Sequence, residues 1–140
     1  MATTLYRWTP LEGFSRECVE HARRLREALD YAYSNREGFR EWLEKMSERI
    51  EGLLLEANEQ HMLEEIVGVV IAKMGQVLYA TLRSLGEGRE EALRRVREAV
   101  CGVAALGEML IEEMDREGFL EASVGVIGGR GAPAKDEHRQ

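Results

Sequence analysis

Apolar residues recur along this chain at steps of three and four, the mark of helices that each lay one face on a partner. Leu11, Phe14, Cys18, Ala22, Leu25, Leu29 and Ala32 form a first narrow stripe. Thr9, Pro10 and Glu12 stand at its head as a capping box with proline in the first helical position. Together they predict a helix over about residues 10–34. Ser34 and Glu37 make a second capping box, and Phe39, Trp42, Leu43, Met46, Ile50, Leu53 and Leu54 carry the next stripe. Opposite it run Arg40, Glu41, Glu44, Lys45 and Glu48, so residues 35–57 read as an ordinary amphipathic helix. The phase of the stripe shifts around Ala57-Asn58-Glu59, which predicts a turn; the alternative is one helix of about 50 residues.

The third segment, residues 59–85, differs in kind. Met62, Leu63, Ile66, Val67, Val69, Val70, Ile71, Met74, Val77, Leu78, Tyr79, Leu82 and Leu85 cover nearly its whole circumference. A helix apolar on every side has to be surrounded. Gly68, Ala72 and Gly75 share one of its faces, and each glycine costs about 1 kcal/mol of helix propensity, so close packing of another backbone is the expected compensation. Gly86-Glu87-Gly88 ends it. A last helix, residues 89–117, carries Val96, Val100, Val103, Leu106, Met109 and Leu110, again with a small residue, Gly102, among them; Gly118 closes it. The expected fold is all-α: a four-helix bundle-like domain over residues 1–118, with a short N-terminal arm around Leu5-Tyr6-Arg7-Trp8 and a flexible, glycine-containing tail over 119–140. Four helices can surround the third only partly in a chain of 140 residues. A homo-oligomer is therefore expected, with Gly68, Ala72, Gly75 and Gly102 as helix-packing or interface positions.

Charge narrows the partners. The net charge is −7, which argues against a whole-surface grip on nucleic acid. Residues 1–50 balance nine bases against nine acids, whereas residues 51–129 carry seven against fifteen. Contact with a polyanion would fall to the N-terminal third, where Arg23, Arg24 and Arg26 cluster, or to the tail. Glu supplies 23 of the 26 acids and Arg 16 of the 19 bases, a thermophile-like surface. Cys18 and Cys101 lie in no metal-ligand spacing and are expected as buried free thiols, a disulfide between the first and last helices being the alternative. The opening residues lack the basic start and apolar run of a signal peptide. The stretch Ile66 to Leu82 contains Lys73 and Gln76, so no membrane span is expected and a cytoplasmic setting follows.

Little in the sequence carries chemistry. His61 lacks the Glu three positions earlier that a bundle's carboxylate–histidine metal site requires, since Asn58 stands there. The acid pairs Glu64-Glu65, Glu90-Glu91 and Glu112-Glu113 point about 100° apart on their helices, and read as solvated faces and not as Mg²⁺ sites. Neither metal nor cofactor is expected. Arg16 and His21, spaced Arg-x4-His, resemble the signature of HEPN-type ribonucleases, small all-helical domains in which these two residues act on the RNA phosphate at a dimer interface. That resemblance covers six residues of the first helix, whereas family members usually carry it nearer the C-terminus; it implies a ribonuclease using Arg16 and His21. The residues themselves point first to a non-enzymatic assembly or interaction protein that self-associates through its third and last helices. The second reading is a nucleic-acid-associated structural subunit, such as a ribonucleoprotein small subunit or a filamentous virus coat protein.

Overall fold

Ser15 sets the start of the first described helix. Its backbone is extended and its Oγ accepts the Cys18 N–H at 3.2 Å, satisfying one donor of the first turn. The computed structural model describes the backbone of residues 13–131 and the side chains of 13–127. Within that range the chain forms α1 (Arg16–Asn35), α2 (Phe39–Glu59), α3 (Leu63–Ser84), α4 (Arg89–Arg116) and α5 (Phe119–Gly131). No strand occurs among the described residues, and the all-α, bundle-like expectation holds.

Several boundaries differ from the sequence expectation, each for a local reason. The capping box at Thr9, Pro10 and Glu12 lies outside the described residues, as does the arm around Trp8. The helix expected from residue 10 is not continuous through residue 15, because Ser15 caps a fresh start beyond Gly13. Ser34 caps nothing; it belongs to the last turn of α1. The entry to α2 is made instead by Gly38, whose φ of 81° is a left-handed conformation that glycine adopts without strain. The turn expected near Asn58 falls at residues 60–62, where His61 takes a φ of 60° and Met62 N–H returns to Ala57 O at 3.0 Å. Two helices, not one long one, result. The largest difference lies after Gly118. Residues 119–131, expected as a flexible tail, form α5, which touches both α2 and α4. Ala122 N–H bonds Gly118 O at 3.0 Å, continuing the backbone ladder across the turn.

The helix α4 is the spine, with α1 and α3 packed along it. Cys18 faces Cys101, His21 faces Gly102 and Arg26 faces Glu113, so α1 and α4 run in the same direction. Their interface is built from small residues: Cys18, Ala22 and Ala32 on α1, and Gly102 and Ala105 on α4, are buried. Two further ties hold the pair. Cys18 and Cys101 are disulfide-bonded with Cα atoms 5.4 Å apart, so the expectation of free thiols is overturned. The reason is positional, since the small-residue stripe of α1 brings the two Cβ atoms within bonding reach. Arg26 grips Glu113 with two 2.6 Å hydrogen bonds from one guanidinium nitrogen, and its Nε reaches Asp30 at 3.0 and 3.1 Å. The Glu113 hydrogen bond raises the Arg26 pKa further above its usual value, with burial opposing.

The disulfide closes a loop of 83 residues. Its loss frees that loop in the unfolded chain, an entropic effect of about 4 kcal/mol. Cys101→Ser, or wild-type protein in excess dithiothreitol, is expected to shift the urea midpoint downward by the equivalent of that amount. An unchanged midpoint after confirmed reduction would show that the bond does not stabilise the fold.

Candidate self-association surface

The buried side chains of this chain are almost all small. Among the described residues the buried apolar positions are Cys18, Ala22, Ala32, Ala57, Leu82, Ala92 and Ala105, so Leu82 is the one large aliphatic of the group. The apolar stripe of α2 contributes only Ala57, in its last full turn. From the other stripe positions, Trp42, Ile50 and Leu53 stand open, Leu53 at 63 % exposure. The helix expected to be the best covered is among the least. Only Gly75 and Leu82 of α3 are buried.

What α3 does bury follows its wheel. Ile71, Met74, Gly75, Leu78 and Leu82 share the side that meets α4 and are half-buried or buried, Val67 is half-buried at its edge, and Leu63, Ile66, Val70 and Val77 make a stripe on another side and remain exposed. Val69 is exposed beside that stripe. By length and composition α3 could cross a membrane, and only 11 % of its most apolar stretch is buried. Between the open faces of α2 and α3, close to their shared turn, lies a groove of about 480 Å³ lined by Ile50, Leu53, Leu54, Ala57, Met62, Ile66, Val67 and Val70 together with Glu56 and Gln60. The lining is apolar except for those two rim residues.

The glycine stripe divides. A Cβ on Gly75 would lie 3.2 Å from Val96 Cγ1, so Gly75 serves the α3–α4 contact inside the chain. Gly68 has open space around it, and Ala72 is exposed. Gly102 is spent inside the chain as well: a Cβ there would run into the His21 ring, 3.0 Å from Cγ and nearer still to Cδ2.

The chemistry candidates fare differently from the apolar ones. Arg16 is exposed at the start of α1, while His21 packs half-buried on α4, and five helical residues place their side chains about 140° apart. The fold therefore does not bring the two together within one chain. His21 Nδ1 is buried without a hydrogen-bond partner among the described residues. In the arginine cluster, Arg23 pairs with Glu20 at 3.4 Å and Arg26 with Glu113 and Asp30, while the exposed Arg24 meets no acid among the described residues. Of the acid pairs, Glu91, Glu112 and Glu113 are likewise engaged by arginines. Arg94 lies 2.5 Å from Glu91 and holds its carboxyl below the usual range, Arg116 pairs with Glu112 at 3.6 Å, and Arg26 takes Glu113. No group of three His, Cys, Asp or Glu among the described residues is placed to hold a metal ion.

One cluster escaped the sequence reading. At the α1–α2 corner Arg40 lies 4.7 Å over the Tyr33 ring and donates from Nε to Tyr33 O at 3.1 Å, while Arg36 lies 5.6 Å from the Phe39 ring. Phe39 and Trp42 sit 5.6 Å apart, centroid to centroid. The i,i+3 spacing of Phe39 and Trp42 was visible, but the Arg40–Tyr33 pair spans two helices and had no periodic signal. These contacts lock the corner, each contributing about 0.5–1 kcal/mol at an exposed site.

No protein-family model, curated protein or solved structure matches the chain. Function must be argued from the molecule itself.

Two substitutions separate the internal contacts from the open ones. Gly102→Val should lose about 2 kcal/mol or more of unfolding free energy, because the added methyls meet the His21 ring. Gly68→Ala should gain up to about 1 kcal/mol from helix propensity alone, since nothing stands within 4 Å. Equal effects of the two in denaturant titrations would contradict this division of the glycines.

Proposed function

We propose that this protein is a non-enzymatic assembly protein whose working form contains more than one copy of the chain. The observation that supports this reading most is α3, apolar on nearly every side yet buried only at Gly75 and Leu82. Surfaces of that kind mark interaction sites on soluble proteins, because contiguous apolar patches are otherwise small. The engaged state of the charged candidates adds to it: Arg26, Glu91, Glu112 and Glu113 are taken up in ion pairs within the chain. Nucleic acid as a further partner would rest on Arg24 alone of the three clustered arginines, so self-association is the reading we adopt.

A cytoplasmic setting goes with this proposal. The Cys18–Cys101 bond then calls for an intracellular environment in which disulfides persist, as they do in hyperthermophiles. The Glu- and Arg-rich surface, with its ion pairs at i,i+3 and i,i+4, fits the same source.

Sedimentation equilibrium of the full chain at micromolar concentration tests the proposal. The expected mass is a whole-number multiple of the chain mass that holds as the sample is diluted several-fold. A monomer at every concentration, in the absence of detergent and lipid, would remove self-association as the function.

A further inference from the structure

The open faces of α2 and α3 belong to one hairpin. The two helices have 21 and 22 residues, about 32 Å each, and meet at the turn of residues 60–62. Both present an exposed apolar stripe, and the apolar groove lies between them. A four-helix bundle needs two such hairpins packed face to face. This chain supplies one, because α1 is spent on α4 through the disulfide, the small-residue contact and Arg26.

We infer that the α2–α3 hairpins of two copies pack face to face, each filling the other's groove, and close a four-helix bundle across the interface. The inference rests on the self-association reading and names its surface. Three features favour a second copy as occupant. The first is area. Eight exposed residues on α2 and α3, Trp42 through Val77 as named above, together with Met62 at the turn, are about half exposed on average, which is about 75 to 100 Å² apiece if each has about 150 to 200 Å² to expose. The total of about 700 to 900 Å² brackets the roughly 800 Å² that each partner buries in a stable interface. The second is length, since an identical hairpin matches the open one helix for helix. The third is charge. Arg49 and Glu56 flank the α2 stripe and Lys73 the α3 stripe, so the rims carry both signs and two identical faces meet without a block of like charge.

A lipid surface suits these residues less well. Lys73 is a single cation at the edge of the α3 stripe, and the net charge of −7 repels anionic headgroups.

The test uses the full-length chain and the variants Leu53→Glu and Val70→Glu. Both positions are more than half exposed in the single chain, so helix content by circular dichroism should stay at the wild-type level. Ile111→Glu, on an exposed position of α4, is the control. The expected result is a wild-type dimer or higher even oligomer, at least a hundred-fold weaker association in each of the two hairpin variants, and none of that loss in the control. A second measurement guards against misfolding: Val70→Cys should form a cross-linked pair of chains on mild oxidation. Wild-type oligomers that survive both Glu substitutions, with no cross-link at residue 70, would overturn the hairpin interface while leaving self-association standing. A wild-type monomer would overturn both. A monomer that floats with phosphatidylcholine–phosphatidylglycerol vesicles, and is released by Val70→Glu, would assign the face to lipid instead.

Discussion

Apolar helix surface has to be kept from water, and in this chain that demand is met on one side of α4 and left open on the other. The contrast lies within single helices. On α3, the face made by Met74, Gly75, Leu78 and Leu82 is covered by α4, with Val96 close against Gly75. A quarter-turn to a third of a turn away, Ile66, Val70 and Val77 meet solvent. On α2 the stripe is divided in the same way: Phe39, Leu43, Met46 and Leu54 are half-buried, while Trp42, Ile50 and Leu53 are open. The glycines at the close contacts, Gly75 and Gly102, and the disulfide serve the covered half.

The covered half is built for close approach more than for bulk. Cys18, Ala22, Gly102 and Ala105 let α1 and α4 run side by side, and residues so small bury little apolar area each. Covalent and ionic ties supply what the side chains do not. The Cys18–Cys101 bond limits the unfolded chain, and the half-buried Arg26–Glu113 pair fixes the register of the two helices further along. Larger residues such as Ile50, Leu53, Ile66 and Val70 are kept for the open half. Among the described residues the fully buried positions are mostly small, while many larger aliphatic residues of α3 and α4 are half-buried and those of the open stripes are exposed.

Much of the helical architecture was legible from spacing alone. The breaks at residues 60–62 and 85–88 and the extent of α4 follow from stripe phase and glycine. Capping signals were a poorer guide. Ser34-x-x-Glu37 has the right residue types, but Gly38, free to take a positive φ, offered the chain a sharper corner and α2 began after it. The disulfide was legible only as the alternative to free thiols, because 83 residues of intervening chain carry no sign of which helices become neighbours. The glycine stripe was legible as a packing device but not in its choice of partner. Gly75 and Gly68 are equivalent by sequence, and only the position of Val96 tells them apart. The glycines of residues 125–131 read as flexibility, yet Ser123 Oγ donating to Phe119 O at 2.8 Å and the ladder from Gly118 carry a helix through this segment. Arg16 and His21 show the limit of spacing in the other direction: a motif can match while its two side chains point to different sides of the helix.

The same half-open geometry bears on what α3 is for. Its length and apolarity would let it span a bilayer, but spanning requires it to leave α4. The helix α4 meets α3 through a segment that also carries Arg94, Glu91, Arg95 and Arg97, and these charges cannot follow into hydrocarbon without a large desolvation cost. Separation would in turn expose Leu82, Ala92 and the Gly75–Val96 contact, and would strip the spine of its second helix. Covering α3 with protein asks for none of this. The chain would keep every contact it already makes, the charges of α4 would stay in water, and the open stripe beside the α2–α3 turn would be buried by the proposed second copy. On the self-association proposed above, the all-round apolar helix carries two interfaces on one cylinder, one made within the chain and one to be made between chains.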